Sequence, residues 1–99
     1  MKRDEAIRII RKHRATLENV GVAHAYLFGS VARDEATSDS DVDVMIDVAY
    51  EPFSMLKVIH VKKTLKDLFN KNVDVVVRAD ALVEGKKLNV AAKEAIGVF

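Results

Sequence analysis

"LFGSVARDEATSDSDVDVMIDV", residues 27–48, has a Gly-Ser pair near its start and an alternating acidic segment at its end. Over residues 41–48, Val42, Val44, Ile46 and Val48 fall on one face of a strand, and Asp41, Asp43, Met45 and Asp47 on the other, because side chains of an extended chain alternate between its two sides. Asp41 and Asp43 then have α-carbons roughly 6.6 Å apart, so their carboxylates can converge on one site. Two carboxylates about 5 Å apart repel by roughly 3 kcal/mol at an effective dielectric of 20. That is large beside the roughly 5 to 15 kcal/mol of stability a domain has. Such a pair calls for a cation, and an oxygen-only ligand set suits Mg2+ or Mn2+.

The Gly29-Ser30 turn supplies a second feature. It follows the short apolar run "HAYLF", read as a first strand, and opens a helical segment, "SVARDEA", of about two turns before "TSDS" supplies loop chemistry. Gly29 lets a phosphate approach the backbone, Ser30 adds a hydroxyl donor, and free N–H groups at a helix start favour an anion. Asp41 comes eleven positions after Ser30. A phosphate cradle and a metal-binding strand at fixed separation are the parts needed to hold a nucleoside triphosphate with its metal. Asp39, Asp41 and Asp43 also spell the start of an EF-hand loop, but Val44 and Tyr50 stand where that loop needs Gly and Glu.

Ile7, Ile10, Leu17 and Val20 predict an amphipathic helix from Asp4 to near Gly21, with Lys2, Arg3, Arg8, Arg11, Lys12 and Arg14 on a basic, solvated face. Pro52 opens a long helix through about Asn70, with Met55, Val58, Ile59, Leu65 and Phe69 on its apolar side. "NVDVVV" is a third alternating strand, with Asp74 opposite Val73, Val75 and Val77; if it lies beside the second strand, Asp74 joins Asp41 and Asp43. Asp80 caps a final helix, restarted near Gly85, with Leu88, Ala91, Ala92, Ala95 and Ile96 as its stripe. The order αβαβαβα indicates an α/β (α+β) fold, a small β-sheet covered by helices. Asp47 reads as strand-end charge, and His13, His24 and His60 show no ligand spacing.

The chain has 99 residues, 16 basic and 15 acidic, and a formal charge of +1. That length fits one domain, residues 1–99, and the charge balance offers no global field for a polyanion, so nucleic acid is not expected as a stable partner. The absence of cysteine removes disulfides, thiolate catalysis and Cys-based zinc. No apolar leader or spanning stretch is present, so the expected location is the cytoplasm, without a membrane partner.

"GSVARDEATSDSDVDV" resembles the signature of the DNA polymerase β type nucleotidyltransferases, and specifically of their minimal members, in which Gly-Ser is followed after about ten residues by Asp-x-Asp. The resemblance covers most of the chain and implies a mixed sheet of the polymerase β type. By it, Gly29 and Ser30 bind the triphosphate, with Arg33 and Ser40 as further phosphate contacts. Asp41 and Asp43 ligate Mg2+ or Mn2+, and Asp74 completes the metal site and helps deprotonate the acceptor. Asp34 stands where the family usually has Gly. The resemblance further implies ATP as substrate, AMP transfer to a hydroxyl, and an antitoxin role beside a HEPN-domain toxin whose tyrosine is the acceptor. Two other readings stay open: a non-catalytic antitoxin that covers its partner's active site, and transfer to a small molecule. Nucleotide choice and self-association are not legible in the residues.

Overall fold

Three alternating strands and one crossover helix frame the structure. This computed structural model describes residues 1–37, 39–50, 54–78 and 95–99. β1 (Val22–Phe28), β2 (Val42–Val48), β3 (Val73–Val77) and β4 (Ile96–Gly97) form one sheet in the order β3-β2-β1-β4. β1 runs antiparallel to both β2 and β4, while β2 and β3 are parallel. A parallel pair cannot be closed by a hairpin. The crossover is α4 (Met55–Phe69), whose Val61, Leu65 and Phe69 are buried.

The other described helices are α1 (Arg3–Lys12) and α2 (Arg14–Asn19), which precede β1, and the one-turn α3 (Gly29–Ala32), which follows it. Acids in the first turn of α1 and bases in its last complement the helix dipole. Ala6, Ile10, Leu17, Val31 and Ala32 from these helices join Val22, Ala25, Leu27, Val42, Val44, Ile46, Val73, Val77 and the α4 stripe in one core. The other sheet face carries Tyr26, Phe28, Asp43, Met45, Asp47, Asp74 and Val76, of which Met45 is buried. Among the described residues no helix is long and apolar enough to cross a membrane.

The structure departs from the expected elements at five places. The first helix is two, broken at His13, whose backbone leaves helical values at φ −106° and ψ 21°. Its end is as expected: Gly21 has φ +100°, which favours glycine. The segment from Ser30 makes one helical turn rather than two, because Asp34 takes a left-handed φ of +59°. α4 begins at Met55, with the Ser54 hydroxyl accepting the Lys57 N–H, rather than at Pro52, which lies outside the described residues. Met55 and Ile59 are 73% and 54% exposed rather than on the buried side. At roughly 100° per residue Ile59 sits about 160° around the helix from Val61, and Met55 about 120°.

Asp80, Gly85, Leu88, Ala91 and Ala92 of the expected last helix lie outside the described residues. Ile96, expected on its stripe, instead belongs to β4, opposite Leu27. There it packs on the core, and β4 satisfies backbone groups along the outer edge of β1.

Candidate active site

The pairing register decides which acids meet. Asp43 lies opposite Phe28 on one side and Asp74 on the other. Directly paired residues project from the same sheet face, so the carboxylates of β2 and β3 share one row at the end of the sheet where β1 gives way to α3. Asp41, one residue before β2, follows on the same side as an exposed neighbour.

Asp43 is half-buried, and its carboxyl is held above the ordinary carboxylate range. Burial is the largest cause, followed by the negative charges of Asp74 and then Asp41; Arg33 pulls weakly the other way. Three other side chains expected at the site, those of Asp74, Asp41 and Arg33, thus act electrostatically on Asp43.

Gly29 is fitted to this cluster. Its φ is +72°, and a β-carbon built on it would overlap the Asp43 carboxylate, standing 3.1 Å from Cγ. The backbone at the end of β1 therefore passes directly against Asp43, an approach only glycine permits. Ser30 follows as the second residue of α3. Arg33 caps that turn and pairs with Glu35, Nε to Oε2 3.1 Å. Ser40 turns toward its own loop: its hydroxyl accepts the Thr37 N–H at 3.0 Å and lies 3.1 Å from the Thr37 hydroxyl.

Among the described residues no three His, Asp or Glu side chains stand close enough to share one ion as placed. A preformed cage is not what Mg2+ requires, since it commonly takes one or two carboxylates and completes its shell with substrate phosphates and water. The donor set fits such an ion: oxygen only, with three carboxylates, one of them pushed toward its protonated form first by burial and then by the other two.

Two rows further along the same face lies a polar group that strand alternation alone does not reveal. The Tyr26 hydroxyl donates to Asp47 Oδ2 at 2.8 Å, and Arg78 donates to the same oxygen at 3.4 Å and to the Tyr26 hydroxyl at 3.3 Å. The hydrogen bond to Asp47 and burial push the Tyr26 phenol up. Asp47 is therefore the centre of a Tyr-Asp-Arg group rather than simple strand-end charge. The alternation Asp74, Val76, Arg78 was the available signal, because the register that pairs Asp43 with Asp74 carries Asp47 to Arg78.

The polymerase beta nucleotidyltransferase family matches residues 11–93. The chain belongs to that family. Among its relatives, a Methanocaldococcus jannaschii chain named as a protein adenylyltransferase is 44% identical over 71 residues, 71% of each chain. The protein adenylyltransferase MntA of Thermococcus cleftensis is 38% identical over 77 residues, 77% of each chain. A solved minimal nucleotidyltransferase superposes with a TM-score of 0.79 at 26% identity, over 97% of this chain and 95% of the other. A toxin-antitoxin complex with AMP-PNP gives 0.68 at 16% identity, over 100% and 73%. A complex of tri-AMPylated Shewanella oneidensis HEPN toxin with its MNT antitoxin gives 0.62 at 14%, over 94% and 71%. At the last two identities the likeness speaks to the fold, and the family's mixed sheet with flanking helices is the one described above.

Proposed function

We propose that the chain transfers AMP from ATP to a hydroxyl, a tyrosine of a HEPN-domain partner, and acts as that partner's antitoxin. The observation that carries the reading is the row Asp43–Asp74, flanked by Asp41 and backed by Gly29 with no room for a side chain. The names of the curated relatives support protein adenylylation, and the structures of toxin-antitoxin complexes support the partner class.

In this reading the triphosphate lies against the Gly29-Ser30 backbone, with Arg33 and Ser40 at its border. Asp41, Asp43 and Asp74 would hold Mg2+ or Mn2+, which when bound supplies charge neutralisation at the phosphates and Lewis-acid polarisation. The acceptor oxygen forms its bond to the α-phosphorus as the bond to the β-phosphate bridging oxygen breaks. Pyrophosphate leaves, and the Asp74 carboxylate takes the acceptor's proton. The β2–β3 pairing sets Asp43 opposite Asp74, so those two acids are aligned before substrate arrives.

The test is transfer of labelled AMP from α-labelled ATP to the HEPN-domain partner, with Mg2+, by wild type and by Asp41→Asn/Asp43→Asn. Label is expected on a partner tyrosine with the wild type, reduced at least about a hundred-fold in the double variant. Labelling that persists in the double variant would contradict the metal roles. Stoichiometric inhibition of the partner without any label would favour the non-catalytic reading.

A further inference from the structure

Asp34 is where the Gly-Ser segment departs from the pattern that its resemblance sets, and the structure gives that residue two tasks. Its backbone is left-handed, φ +59°. The Asp34 N–H donates to the Val31 carbonyl at 3.0 Å and the Glu35 N–H to the Ser30 carbonyl at 2.8 Å. Together these bonds make a Schellman closure of α3, in which the residue after the cap must be left-handed. Glycine is the usual occupant of such a position; aspartate tolerates it better than most residues.

The Asp34 side chain reaches out of the turn. Its Oδ1 accepts the backbone N–H of Arg3 at 3.0 Å. Arg3 opens α1, whose own N-cap residue, Lys2, makes no side-chain capping bond. The carboxylate therefore supplies the missing cap and places negative charge at the positive end of the α1 dipole. One residue closes the turn behind Ser30 and fastens it to a longer helix.

We propose that Asp34 is a positioning residue for the nucleotide loop, holding Gly29, Ser30 and Arg33 in place against Asp43 by tying α3 to the first turn of α1. A four-residue helix cannot sustain its own geometry, because one turn fixes several dihedrals for very few bonds. The tether supplies what the turn lacks. The inference rests on the reading of Gly29-Ser30 as the phosphate seat. It also gives the carboxylate at position 34 a use that leaves catalysis intact.

Three substitutions in the full chain separate the two tasks. Asp34→Asn keeps an acceptor and a residue tolerant of left-handed φ; Asp34→Gly keeps the backbone but offers no acceptor; Asp34→Ala loses both. Amide hydrogen exchange at Arg3 should be slow in the wild type and Asp34→Asn, and about five-fold faster or more in the other two. Dissociation constants for Mg-ATP, measured well below every variant's unfolding temperature, should rise roughly three- to ten-fold in Asp34→Ala, less in Asp34→Gly, and hardly at all in Asp34→Asn.

If Asp34→Ala and Asp34→Gly lower the unfolding temperature but bind Mg-ATP as the wild type does, the residue is merely structural and the proposal is overturned. Tighter binding in those variants would overturn it too, by showing that the carboxylate repels the triphosphate. A wild type that binds no Mg-ATP would instead sink the phosphate-seat reading, a failure visible before any variant is compared.

Discussion

A carboxylate placed opposite a second one across a strand pair, with a third two residues back, is destabilising until something positive arrives. At Asp43 this is visible as a carboxyl held above its ordinary range by burial, Asp74 and Asp41, in that order. The sign of the consequence is fixed. A carboxyl that titrates higher in the folded chain carries no penalty below the unfolded value near 4, and stability is lost as pH rises through the raised folded value. Asp43→Asn is therefore expected to be more stable than the wild type at pH 7 in chelator. Removing one charge from a partly solvated cluster is on the order of half a kcal/mol, a gain of roughly 2 to 4 °C in Tm for a domain of this size. The difference should vanish by about pH 3, where both states are protonated. Thermal unfolding followed by circular dichroism across that range checks it, and an Asn variant no more stable than the wild type at pH 7 would show that the cluster is not under strain.

Gly29 acts at the scale of elements, since it is the joint at which β1 becomes α3. Gly29→Ala forces a side chain into left-handed backbone, about 1 to 2 kcal/mol, and drives its β-carbon into the Asp43 carboxylate. The expected outcome is a Tm lower by roughly 5 to 15 °C and nucleotide affinity down at least about ten-fold, read by unfolding and by titration with Mg-ATP.

The same scale shows what the sequence makes legible. Alternation carries its own meaning: "DVDVMIDV" and "VDVVV" announce strands, their buried faces, and the side on which Asp41, Asp43 and Asp74 project. The register that sets Asp43 beside Asp74 is not local information, because it depends on how α4 returns the chain. β4 escapes for a related reason. Two residues are too short for a period, and only the edge of β1, far away in sequence, makes Ile96 and Gly97 a strand. The break at His13 and the early end of α3 turn on single backbone angles, which apolar spacing does not encode. The Tyr26–Asp47–Arg78 group joins positions on β1 and β2 to the residue just after β3, and their neighbourhood appears only once the sheet is assembled.

At the scale of the whole molecule the sheet divides the work. One face carries the core with α1 to α4; the other presents the acids and the Tyr-Asp-Arg group. A small domain has little core to spare, so a repulsive row on the second sheet face is intelligible when a ligand offsets the repulsion. In the proposed function, Asp41, Asp43 and Asp74, beside Gly29 and Ser30, form one seat for a divalent ion and a nucleoside triphosphate. Titration with Mn2+ in the presence of a non-hydrolysable ATP analogue, followed by electron paramagnetic resonance, tests it most directly. The wild type should take up Mn2+ saturably, and Asp43→Asn and Asp74→Asn should each weaken that uptake by about ten-fold or more. Uptake of equal strength in the wild type and both variants would contradict it.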